Sequence, residues 1–175
     1  MVRQASARQL IVIPLALAVV AAAGAASEQR VQPVGLPISI VLPDDWSGHS
    51  FAVGPLAYQA FGPNLSTEFD VQRNTPAPTP RSFEQEFTKK IRRIVLVQDA
   101  HATFDTGMVK LPAGRAVEVV AHVRVAFAGP PKPATVWIYG IERGPAYYTF
   151  TCYGRPNSKT SAATVMTIMR SLSFS

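Results

Sequence analysis

The side chains able to do chemistry are few and scattered. The chain carries three histidines, His49, His101 and His122, and a single cysteine, Cys152. A local zinc site draws its ligands from His and Cys pairs only a few residues apart, and no such pair exists here. Asp44, Asp45 and His49 lie close enough in sequence to meet in one loop around a metal. The plainer reading of two aspartates after Pro43 is a solvated turn. His122 alternates with Glu118 and Arg124 on one strand face and reads as a structural histidine paired to either. No serine elbow, phosphate-cradling glycine loop or calcium-loop pattern is present. The sequence therefore predicts no catalytic residue, no metal ligand and no cofactor, and points away from an enzyme.

Two groupings suit binding better. Lys89, Arg92 and Arg93 face away from an apolar helical stripe. Such a face is ordinarily just solvated, but it also offers a docking surface for something acidic. Trp46, Trp137 and Tyr147 are large amphipathic aromatics, each at home in a core. Together they offer walls for a small apolar or amphipathic ligand held between sheet and helix. Cys152 shares a strand face with Tyr148 and Phe150, so it reads as a small buried apolar residue rather than a reactive thiol.

The elements that must position these groups centre on Arg115 to Tyr153. Val117, Val119, Ala121, Val123, Val125 and Phe127 alternate with Glu118, Val120, His122, Arg124 and Ala126, the period of a strand. After a proline-rich loop from Gly129 to Pro133, Val136 and Ile138 alternate against Trp137, Tyr139 and Ile141. After Arg143-Gly144-Pro145, Tyr148, Phe150 and Cys152 alternate with Tyr147, Thr149, Thr151 and Tyr153. Short links predict an antiparallel meander. Bulky groups on both faces predict cover on both.

Before the meander, Glu28 to Leu36 reads as an extended lead-in. Ile38 to Leu42 reads as a strand, and Ser47 to Pro55 as a loop. A strand pair follows, Ala57 to Phe61 and Leu65 to Gln72. In its second member Ser66, Glu68, Asp70 and Gln72 form a face expected to be solvated. Asn74 to Pro80 is a stiff proline linker. A helix is predicted from Arg81 to about Val97, capped by Ser82 with Gln85 three residues on. Its core stripe is Phe83, Phe87, Ile91, Ile94 and Val95, and Glu86 and Lys90 form a helix pair. Thr103 to Leu111 is a strand broken at Gly107. The last helix runs from Lys159 to about Ser171, capped by Asn157 or Ser158. Its buried stripe is Ala162, Val165, Met166, Met169 and Leu172. Two helices on an antiparallel sheet make an α+β domain.

The N-terminus has its own logic. Arg3 and Arg8 precede an apolar run from Leu10 to Val20, and small residues follow from Ala21 to Ala26. That order is a secretory signal peptide, with cleavage after Ala25 or Ala26. The apolar run is short of the roughly 20 residues a spanning helix needs. No stable transmembrane anchor is expected once residues 1–26 are removed. The protein is then exported, periplasmic or secreted, with a lead-in at 27–36 and a single domain at 37–175. The whole chain has 17 basic and 11 acidic residues, a net of +6; without Arg3 and Arg8 the net is +4. Export and the lack of a basic stripe interleaved with aromatics argue against nucleic acid.

The order of elements resembles the PsbP-like superfamily. Its carriers are Leu42-Pro43-Asp44-Asp45-Trp46 at a strand end, Arg81-Ser82-Phe83-Glu84 opening a helix, Leu111-Pro112-Ala113-Gly114-Arg115-Ala116 before the meander, and a closing Ile168-Met169-Arg170-Ser171-Leu172-Ser173-Phe174. That superfamily includes extrinsic photosystem II subunits, a nuclear Ran-binding relative and LpqN-type exported bacterial proteins. The resemblance implies an α/β/α sandwich around a central antiparallel sheet, and binding or assembly surfaces rather than a fixed activity. The lipidation cysteine of LpqN-type lipoproteins is missing here. The leading expectation is an exported, non-enzymatic accessory domain that binds an envelope or extracellular protein. The alternative is a carrier for a small apolar or amphipathic ligand.

Overall fold

The computed structural model describes residues 28–52, 54–63, 68–77, 82–125, 130–156 and 158–175. The predicted export signal lies outside the described residues. So do residues 65–67 of the predicted strand pair, Arg81, Phe127, Gly129 and Asn157.

The strands are β1 (Glu28–Val31), β2 (Ile38–Pro43), β3 (Ser47–Ser50), β4 (Leu56–Phe61), β5 (Glu68–Asn74), β6 (Thr103–Leu111), β7 (Gly114–Val125), β8 (Lys132–Arg143), β9 (Ala146–Gly154) and β10 (Ser173–Phe174). The helices are α1 (Phe83–Gln98), between β5 and β6, and α2 (Lys159–Ser171), between β9 and β10. Seven strands form one sheet in the order β3-β4-β5-β9-β8-β7-β6, every neighbour antiparallel. A second sheet, β1-β2-β10, has three strands. The architecture is α+β, with a large antiparallel sheet covered on both faces.

Alternation decides what each face meets. Val117, Val119, Ala121 and Val123 of β7, with Val136 and Ile138 of β8, are buried against Phe83, Phe87, Ile91 and Val95 of α1. Gly140 makes this close packing possible, because a Cβ there would stand 2.6 Å from the Phe87 ring. The opposite face presents Phe69, Trp137, Tyr139, Tyr148, Phe150 and Cys152. These pack with Val165, Ile168, Met169 and Leu172 of α2 and with Ile38, Ile40 and Leu42 of β2.

Several local expectations are corrected. The lead-in contains β1, and β3 occupies part of the expected loop, because β2 and β4 supply backbone partners. β6 runs unbroken through Gly107, which pairs with Glu118. Lys132 and Pro133 join the start of β8, a strand position that tolerates proline. Ile94 is 46% exposed rather than core, and Ile168 is buried in its own helix's stripe. Ser82 stands at the start of α1 without a side-chain capping bond. Ser158 does cap α2, accepting the Ser161 N–H at 3.1 Å. The far end of α1 is held by Asp99, whose carboxylate accepts the N–H groups of His101 at 3.0 Å and Arg124 at 2.7 Å. Those two bonds hold its carboxyl below the usual aspartate range.

Candidate docking face and a polar shelf

α1 lies over β7 and β8, so its remaining faces look outward and sideways. Lys89, Arg92 and Arg93 are all exposed. They line an open depression of about 760 Å³, together with Glu84, Gln85, Thr88, Leu96 and Val97 of the helix and Thr106 of β6, Glu84 being its one acidic member. The Arg92 guanidinium lies 5.1 Å from the Phe104 ring centre, a cation–π contact that leans it towards β6. Leu96 and Val97 are 41% and 83% exposed at the same end. Among the described residues none of the three cations has an ion-pair partner; the one ion pair joins His122 to Asp105 at 3.7 Å. Lys90 donates to the Tyr147 hydroxyl rather than pairing with Glu86.

The three aromatics proposed for a ligand are buried and divided. Trp46 and Trp137 belong to the core beneath α2. Tyr147 is on the other face of the sheet, edge-on to Phe83 and Phe87. The sheet stands between Tyr147 and the two tryptophans. Asp44 and Asp45 are exposed in the turn after β2, and His49 is exposed on β3, 4.4 Å from the Phe51 ring centre. Among the described residues no three His, Cys, Asp or Glu side chains converge as a metal site. His122 pairs with Asp105 and lies 3.4 Å from the Thr135 hydroxyl, not with Glu118. Cys152 is buried, and burial, reinforced by Asp70 and Glu68, pushes its thiol far up, so it stays protonated.

Sequence reasoning missed a second region. Register places His49, Gln59, Asp70, Thr151, Ile138 and Val119 in one cross-strand row. The row beside it runs through Phe61, Glu68, Tyr153 and Val136. The first row is polar at β4 and β5, the second carries Phe61 at β4 and Glu68 at β5, and both turn apolar on β8 where α1 covers the sheet. The polar portion is a shelf, and it is not solvated as expected. Asp70 is 9% exposed, and Thr149 and Thr151 are buried beside it. Gln59 donates to Glu68 at 2.8 Å, and Asn74 to the Thr149 hydroxyl at 3.3 Å.

Asp70 is the unusual member. Its Oδ1 is buried without a hydrogen-bond partner. Burial, then the neighbouring Glu68 charge, pushes its carboxyl up to about 7. A hydrogen bond from Gln59 works the other way, and one with Glu68 adds to the rise. Burial and the same two acids push Tyr153 up to about 12. A signal for this shelf was present. The polar face of β9 is Thr and Tyr without a single charge, which suits half-burial better than open water.

No family model and no curated relative matches the chain. Solved structures do. The solution structure of cyanobacterial PsbP from Synechocystis sp. PCC 6803 aligns over 88% of this chain and 96% of its own length, with a TM-score of 0.63 and 12% identity. The chain has a PsbP-like fold. A Bacteroides thetaiotaomicron protein aligns at 11% identity over 79% of this chain and 45% of its own, with a TM-score of 0.47. A Pseudomonas aeruginosa protein of unknown function aligns at 14% identity over 80% of this chain and 94% of its own, with a TM-score of 0.42. At these identities the likeness is one of fold. The PsbP-like sheet supplies a rigid frame, and this chain's own residues make the α1 face and the shelf. Among the described residues no helix is long and apolar enough to cross a membrane.

Proposed function

We propose that the chain is an exported, non-enzymatic accessory domain that docks an acidic segment of an envelope or extracellular protein on the outer face of α1. The observation that carries this reading is the grouping of Lys89, Arg92 and Arg93 with uncovered Leu96 and Val97 on one depression. Unpaired cations draw an acidic partner and set its orientation; the apolar end supplies area to desolvate. The signal-like sequence of residues 1–26 supports export.

The test is crosslinked capture from native envelope and culture fractions, using the chain from Ser27 onward. The partner captured should be lost, by tenfold or more, from the double variant Lys89→Glu, Arg93→Glu. Capture should also fall steeply with salt. A partner held equally well by the charge-reversed variant would exclude this face. Fractionation with N-terminal sequencing tests export, the expected start being Ala26 or Ser27.

A further inference from the structure

The orientation of α1 follows from two contacts: Lys90 reaches Tyr147 of β9, while Arg92 covers Phe104 of β6. Ile94 is one helical turn after Lys90, so it lies on the flank that overlooks β9. Ile94 itself is 46% exposed. Tyr153 packs against the α1 core and is the cross-strand partner of Glu68, so it joins that wall to the floor.

On the floor, Asp70 presents a buried acceptor with no donor. An orphaned buried acceptor is costly, and a charge-assisted bond is the strongest way to satisfy it. Around it stand Gln59 from β4, Glu68 from the same strand, Thr151 and Tyr153 from β9, and His49 one strand further out. Lys90 on α1 is occupied by Tyr147. Among the described residues no lysine or arginine pairs with either acid.

We propose that Asp70 and Glu68, floored by the shelf and walled by Ile94, bind a primary ammonium group carried on a short apolar stem. The ammonium donates to Glu68 and, once the Asp70 carboxyl turns outward, to its Oδ1, and the stem lies against Ile94. A divalent ion fits less well, because two carboxylates without a third acidic or imidazole ligand leave most of its shell to water. In the free protein burial and the Glu68 charge favour the protonated Asp70 carboxyl. Binding therefore releases a proton, and affinity rises as that proton becomes easier to lose.

Titration calorimetry with pentylammonium and with an amidated Gly-Gly-Lys-Gly-Gly peptide tests this. Affinity should rise about thirtyfold from about pH 5.5 to about pH 8.5, with proton release seen as a buffer-dependent enthalpy. Asp70→Asn should abolish binding while keeping a cooperative thermal transition, and Glu68→Gln should weaken it about tenfold. Binding of the free amine alone identifies a small-molecule amine as the occupant; binding of the peptide as well identifies a lysine side chain. The proposal is overturned if neither probe binds, if Asp70→Asn binds as wild type does, if affinity ignores pH, or if calcium binds where both amines fail.

Discussion

One face of the large sheet is built in two ways. Under α1, β7 and β8 offer Val117, Val119, Val136 and Ile138, and the helix answers with Phe83, Phe87, Ile91 and Val95. Beyond the helix the same rows continue into Thr151, Asp70 and Gln59, and Tyr153, Glu68 and Phe61. The first half spends its alternation on packing. The second buries polar groups that could have stayed wet, and leaves one carboxylate oxygen without a partner. Buried polar groups without partners cost stability wherever they occur.

The contrast can be broken from either side. Phe87→Ala removes the ring seated on Gly140 and should cost about 3–5 kcal/mol, read from urea unfolding. A loss under about 1 kcal/mol would mean that α1 is held by something other than this packing. Asp70→Asn should do the opposite. Its folded carboxyl is raised, so wild-type stability from this group is fully present below the unfolded aspartate value and falls as pH rises to about 7. The variant should lose that slope and gain about 1–2 kcal/mol at about pH 8, a figure reduced for solvent screening. Urea titrations between about pH 4 and pH 8 measure it; a variant that keeps the wild-type slope would place the titration elsewhere. The smallest effect belongs to the outer helix face. Lys89→Glu with Arg93→Glu should shift stability by less than about 0.5 kcal/mol, since neither cation is paired. A larger loss there would show the face to be structural.

Much of the frame was legible in the chain. Alternation in the meander placed Val117 to Val123 of β7, Val136 to Ile141 of β8 and Tyr147 to Tyr153 of β9 on their proper faces, and α2 runs from Lys159 to Ser171 as its period required. The elements that escaped are those whose residues carry no pattern. Ser47-Gly48-His49-Ser50 becomes β3 only because β4 offers an edge, and two residues become β10 only because β2 does. Ile94 was assigned to the core by a wheel that knows the helix but not the polar ground beneath one flank. The basic face of α1 was visible, since exposed cations follow directly from the apolar stripe. The shelf was half visible: Glu68, Asp70 and Gln72 alternate as a polar face should. Their burial comes from neighbours on β4 and β9, and the spacing within β5 carries no trace of them.

The pairing of β10 with β2 also has a temporal side. Phe174 faces Ile38 and Ser173 faces Ser39 across almost the whole described chain. The Ser175 N–H donates to the Pro37 carbonyl at 3.1 Å, and the Ser171 hydroxyl accepts the Val41 N–H at 2.8 Å. Contacts of such long sequence separation form late, because the intervening chain must first be ordered. β2 precedes β10 in the chain and must wait for it before its second edge is filled. Any state that forms before Ser173 and Phe174 pair leaves one edge of β2 open to another strand.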